Sequence, residues 1–139
     1  MTFEEVHRTI KRGDIEALRA AFKNGLDPNL DNKYGWTILM LAAGKGNSKI
    51  GKLIIDMGAD LNRRTVGGVT ALSHATLAGS ASFVELLLAE GASLDCHPHG
   101  NSLDIYLDWV ASFYPEQMRR IRKAFDAERE TRAGNDRKR

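Results

Sequence analysis

The chain has 139 residues, one cysteine and a formal net charge of +2, a length that supports a hydrophobic core without staples and a cysteine count that excludes an internal disulfide. The charge is uneven: residues 1–114 carry 11 Lys/Arg against 13 Asp/Glu, and residues 115–139 carry 9 against 5, so the basic character belongs to the last helix and tail. No apolar run approaches the length of a membrane span, and the charged first 14 residues exclude a signal peptide, so the expectation is a cytoplasmic chain with no membrane partner.

In chain order, Thr2-Phe3-Glu4-Glu5 is a capping-box pattern that opens a first helix. Asp14 suits the N-cap of a second helix, Gly25 lies just past its end, and Leu26-Asp27-Pro28-Asn29 follows. Thr37 then caps a helix with Leu39, Ala42 and Ala43 on its apolar face. Asn47 caps another, from about Ser48 to Met57, with Ile50, Leu53, Ile54 and Met57 at helical spacing and Gly58 beyond them. Thr70 opens the next helix with Leu72, Ala75 and Thr76, and Ser80 caps one carrying Phe83, Leu86, Leu87 and Glu90 before Gly91. The segment Gly100-Asn101-Ser102-Leu103-Asp104 starts a last unit, one residue short of the earlier spacing, with Leu103, Tyr106, Leu107 and Val110 on one face. Pro115 suits the first position of a final helix in which Met118, Ile121 and Phe125 face inward while Arg119, Arg120, Arg122 and Lys123 face water.

These elements repeat every 33 residues: Gly35, Thr37, Leu39, Ala42, Gly46, Leu53, Gly58, Ala59 and Leu61 recur as Gly68, Thr70, Leu72, Ala75, Gly79, Leu86, Gly91, Ala92 and Leu94. A period of this size marks an all-α repeat solenoid of helix-turn-helix units. The expected organisation is one domain over 1–130, in units of about 2–32, 33–65, 66–98 and 99–130, followed by a disordered basic tail over 131–139.

The strings Gly35-Trp36-Thr37-Ile38-Leu39-Met40-Leu41-Ala42-Ala43 and Gly58-Ala59-Asp60-Leu61-Asn62, with Gly68-Val69-Thr70-Ala71-Leu72 and Gly91-Ala92-Ser93-Leu94-Asp95, resemble the ankyrin repeat. The resemblance covers about residues 3–130. It implies an ankyrin-like stack of about four repeats including degenerate caps, with hairpin loops between units. The family's Thr-Pro-Leu-His tetrapeptide reads Thr37-Ile38-Leu39-Met40 and Thr70-Ala71-Leu72-Ser73, without the proline or the histidine that ties adjacent hairpins. The implied fold is unchanged and the implied stability lower than that of a consensus array.

Few residues carry chemistry. Gly46 to Lys52 has the spacing of a phosphate-binding loop, but Leu53 stands where Ser or Thr must hold magnesium, and no strand precedes it. Cys96, His97 and His99 are metal-ligating types with no fourth ligand fixed, and Ser73 and His74 are neighbours on one helix, pointing apart. The expectation is no enzyme, no metal and no cofactor.

In ankyrin-like proteins, partners dock on the hairpin tips and the concave face of the first helices. Carried over by register, those positions are Lys33, Tyr34, Trp36, Gly44 and Lys45, then Arg64, Val66, Val69, Leu77 and Ala78, then His97, His99 and Asn101. Aromatic and aliphatic groups among cations are the composition of a binding hot spot. The resemblance therefore implies a monomeric protein–protein interaction module, a small adaptor or inhibitor whose partner carries an acidic rim. Two alternatives stand beside it: an immunity protein that neutralises a toxin or enzyme, and nucleic-acid binding by the basic C-terminal helix.

Overall fold

Most of the helices begin where a side-chain oxygen takes an amide that the helix itself leaves free. Thr2 Oγ1 accepts from Glu5 N (3.2 Å) while Glu5 accepts from Thr2 N (2.6 Å), completing a capping box. Asp14, Thr37, Asn47 and Thr70 accept from the amides of Ala17, Met40, Ile50 and Ser73 at 3.0–3.2 Å. Past the second helix of each pair, Gly25, Gly58 and Gly91 hold φ values of 95°, 100° and 92°, the left-handed turn that a side chain would strain.

The computed structural model describes residues 1–96 and 98–137. Among them are eight α-helices: α1 Phe3–Arg12, α2 Ile15–Lys23, α3 Ile38–Lys45, α4 Ser48–Asp56, α5 Ala71–Leu77, α6 Ala81–Ala89, α7 Leu103–Ala111 and α8 Pro115–Arg137. Helices α1, α3, α5 and α7 pack in sequence as one layer, and α2, α4, α6 and α8 form the layer behind it. Between the layers lie Leu18, Ile38, Leu39, Ile54, Leu72, Phe83 and Leu87, all 1% exposed or less. Ala42, Ala43 and Ala75 are equally buried, and their small size lets the front helices approach closely.

Ser73 and Met40, which replace the tetrapeptide histidine, turn back on their own caps: Thr70 N donates to Ser73 Oγ (2.9 Å) and Thr37 N to Met40 Sδ (3.5 Å). Asparagines tie the hairpins together instead. Asn29 Oδ1 accepts from Asp60 N (2.7 Å), and one period later Asn62 Oδ1 accepts from Ser93 N (2.8 Å).

Two details differ from the sequence reading. Ser80 makes no side-chain cap bond; the first amide of α6, Ala81 N, donates to Gln117 Oε1 of α8 instead (3.3 Å). The segment read as a disordered tail from residue 131 continues α8 to Arg137, because Arg132 donates to the Ala92 carbonyl (2.8 Å) and pairs with Glu128 (2.8 Å). Lys138, Arg139 and His97 lie outside the described residues. Met118, Ile121 and Phe125 close the core as expected.

The tightest joint in the rear layer is Gly51 against Phe83: a Cβ at residue 51 would stand 2.5 Å from the Phe83 ring. Alanine would add about 1 kcal/mol of helix propensity, but overpacking costs about 1–3 kcal/mol, and Phe83 is fully buried and cannot swing aside. Gly51→Ala is therefore expected to lower the unfolding free energy, by up to about 2 kcal/mol. Leu87→Ala is expected to cost about 2–5 kcal/mol. Urea titration followed by circular dichroism measures both.

Candidate functional site

The front layer exposes an apolar concavity, built where α3, α5 and α7 meet. At its α3 edge Gly44 has no side chain, and a Cβ there would lie 2.5 Å from His74 Nε2, so the imidazole of α5 rests directly on the α3 backbone. The Trp36 ring meets the same imidazole edge-on, with centroids 4.9 Å apart at 73°. Burial pushes His74 below its ordinary pKa of 6.5, so the ring is neutral at physiological pH.

From His74 the surface opens into a cleft of about 590 Å³, floored by Leu77 at the end of α5 and by Ala78 just past it. Its far wall is α7, which supplies Ile105, Tyr106 and Trp109, and His99 stands at the rim. The Tyr106 hydroxyl donates to the Pro98 carbonyl (3.0 Å), and His99 N donates to the Gly67 carbonyl (2.6 Å), which fixes the turn over the cleft. His99 adopts φ 54°, the one left-handed non-glycine residue among those described.

Helix α7 carries two apolar stripes. Leu103, Leu107 and Val110 face the core, whereas Ile105 and Trp109 of the helix and Phe113 in the turn just past its end, spaced four apart, remain 58%, 57% and 61% exposed. Trp109 and Phe113 touch edge to face at 5.0 Å. The second stripe has no role in closing the stack, and the sequence reading missed it. Its signal was present as an i, i+4, i+8 apolar spacing beside the core stripe.

The expected contact residues separate into groups. At the hairpin tips Tyr34 and Val66 are exposed and joined through Val66 N to the Tyr34 carbonyl (3.0 Å), with the Lys33 ammonium 5.0 Å from the Tyr34 ring centroid. Leu77 and His99 belong to the cleft, with Gly44 and Ala78. Trp36 is half-buried on His74, not free at the tip. Arg64 donates to the Asp95 carbonyl of the next hairpin (3.0 Å), and Asn101 donates to the His99 carbonyl (3.5 Å). Lys45 is exposed at the end of α3.

Val69 corrects the expectation. It is 4% exposed because its turn closes on itself: Thr65 N donates to the Val69 carbonyl (2.9 Å), and Val69 N donates to Thr65 Oγ1 (3.1 Å). The expected contact surface therefore loses Val69, while Tyr34 and Val66 stay exposed at the tips. Cys96 is 2% exposed and burial pushes its thiol up, while His97 falls outside the described residues. Ser73 Oγ is taken up by Thr70, and Lys52 is held by Asp56 and Glu90 at 2.8 Å each.

Paired helices stacked in two layers, capped at each end and leaving an apolar concavity in the front layer, define a helical repeat protein built to offer a surface. The chain belongs to the ankyrin-repeat family, whose model, "Ankyrin repeats (3 copies)", matches residues 6–97. Ankyrin repeats are generally protein–protein interaction modules. The chain is 30% identical over 93 residues to the inactive serine/threonine-protein kinase TEX14 of Bos taurus. It is 40% identical over 68 residues to M-phase phosphoprotein 8 of Rattus norvegicus, and 37% over 92 residues to the ankyrin repeat and SAM domain-containing protein 6 of the same species. These matches cover 67%, 48% and 65% of this chain but 6%, 8% and 10% of the relatives, so the likeness concerns one segment of much longer proteins. No helix of the described residues is long and apolar enough to cross a membrane.

The neutral His74 ring generates a pH dependence. The unfolded chain takes up a proton near the ordinary value of 6.5, and the folded chain only at lower pH. Its stabilisation is thus fully present above 6.5 and is lost as the pH falls below it. The expected result is a lower melting temperature at about pH 5.5 than at about pH 7.5, with a smaller drop in His74→Gln.

Proposed function

We propose that this chain is a non-catalytic recognition module, a small adaptor or inhibitor that holds another protein in the cleft between α5 and α7. The observation that carries the reading is the exposed Ile105–Trp109–Phe113 stripe beside that cleft. Large aromatics left in water cost stability, gain nothing for the stack, and dominate protein interfaces when covered. Tyr34 and Val66 at the hairpin tips extend the contact, and Lys33 and Lys45 favour a partner with an acidic rim. A reduced, buried Cys96 fits a cytoplasmic setting.

Nucleic-acid binding by the C-terminal helix has weaker support. Arg120, Arg122 and Arg129 reach back to Glu85, Asp108 and Asp104 at 2.7, 2.6 and 3.5 Å, so these cations are partly neutralised by the repeat body. Such exposed pairs add little stability, yet they reduce the field offered to a phosphate backbone.

The test is affinity capture from source-cell lysate with mass spectrometry, comparing wild type with Trp109→Ala, Leu77→Arg and the double variant Tyr34→Ala/Trp36→Ala. Trp109 is more than half exposed, so its removal is expected to leave the helical signal intact and to weaken binding by about 2 kcal/mol or more. Tyr34→Ala/Trp36→Ala is expected to weaken it less. A protein recovered equally by wild type and both cleft variants removes the cleft as the site.

A further inference from the structure

Resting on the cleft as the docking site, we infer that its occupant is a polypeptide segment of graded polarity: bulky apolar side chains at one end and carboxylates at the other. The grading is written along the front layer. Stepping back from Trp109 through the register gives Leu77 on α5, Gly44 on α3 and Lys11 on α1. The next position along gives Ala78, Lys45 and Arg12. At the α7 end the row is Ile105, Trp109 and Leu77. Toward the other end it is Lys45 of α3 and then Lys11 and Arg12 of α1, all exposed and without an ion pair among the described residues, with Glu5 lining the same recess as Arg12.

The acids nearest the cleft are turned away from it. Asp104 and Asp108 of α7 point to Arg129 and Arg122 of α8, and no carboxylate lines the cleft among the described residues. A bound segment therefore meets aromatic and aliphatic surface first, then Lys45 beside the Gly44 edge of the cleft, and Lys11 and Arg12 one helix beyond. Neighbouring helix axes stand about 8–10 Å apart, so the α1 cations lie roughly 16–20 Å from the α5 floor of the cleft, the span of about six extended residues, with Lys45 about half as far.

A single-stranded nucleic acid fits this arrangement less well. It asks for aromatic and cationic groups interleaved along its path, whereas these are segregated to opposite ends. An acidic and apolar peptide matches both ends at once. Its charged half would quicken encounter, and its apolar half would hold the complex.

The experiment is fluorescence anisotropy with three labelled peptides of about 14 residues: one with a Leu/Phe/Trp half and a Glu half, one scrambled from it, and one with Lys in place of Glu. Labelled oligothymidylate is the nucleic-acid comparator. The Glu-block peptide is expected to bind about tenfold or more tighter than the scrambled one. Lys11→Glu with Lys45→Glu is expected to weaken it about tenfold at low salt and far less at about 0.5 M salt. Trp109→Ala is expected to weaken both Glu peptides.

Equal binding of block and scrambled peptides, no effect of the lysine reversals, no peptide binding, or tighter binding of the oligothymidylate each overturns the inference. Its failure is separable from failure of the cleft reading. If Trp109→Ala abolishes lysate capture while the lysine reversals leave it unchanged, the cleft stands and the graded occupant does not. If neither variant changes capture, both fall.

Discussion

The structure depends on how closely one helix pair can lie on the next. At two joints the limit is set by an absent side chain: Gly44 lets the His74 ring rest on the α3 backbone, and Gly51 takes the edge of the Phe83 ring, each where a Cβ would intrude to 2.5 Å. A solenoid has no long-range closure to absorb an error, so each interface must bury its own apolar face against its neighbour alone. Each missing methyl group thus sets how closely the next helix can approach within its own layer. With that spacing fixed, the caps and asparagine ties need only set register. The Asn29–Asp60 and Asn62–Ser93 bonds do this at the same place in consecutive hairpins.

The same close approach shapes the site. Because His74 leans onto Gly44, it leaves room on its other side, and the cleft opens between α5 and α7. Burial keeps that ring neutral, so the concavity is apolar on both walls instead of cationic at its centre. Trp36 then serves as packing, stacked edge-on against the imidazole, and the exposed aromatic surface moves to Trp109 and Phe113.

Much of this was legible in the chain. The period, the threonine and asparagine caps and the C-terminal glycines are local signals, and the caps expected at Thr2, Asp14, Thr37, Asn47 and Thr70 all form. What was not legible depends on contacts between distant residues. Ser80 sits in register with Asn47 yet makes no cap bond, because Gln117 of α8 supplies the acceptor. The last helix runs on past residue 131 because Arg132 finds the Ala92 carbonyl, forty residues away in the chain. Trp36 and Val69 share a register position but not a fate: one ring lies half-exposed on the next repeat, while the smaller side chain is closed under its turn by Thr65. The exposed stripe of α7 escaped notice for a different reason. Repeat matching weights residues that recur, and Ile105, Trp109 and Phe113 have no counterparts one period earlier that share their size.

Charge gives the sharpest contrast between segment and surface. Counted along the chain, the basic region is residues 115–139, and the body is slightly acidic. Counted by face, the order changes. Glu85, Asp104 and Asp108 turn toward the arginines of α8, which turns the acids of α7 away from the cleft and offsets cations behind it, while Glu4 and Glu5 stay exposed on α1. What remains on the concave side is the positive end formed by Lys11, Arg12 and Lys45 beside a neutral apolar cleft. Screening confines each of these fields to about 10 Å at ordinary ionic strength, so a partner reads the face it approaches and not the sum over the chain.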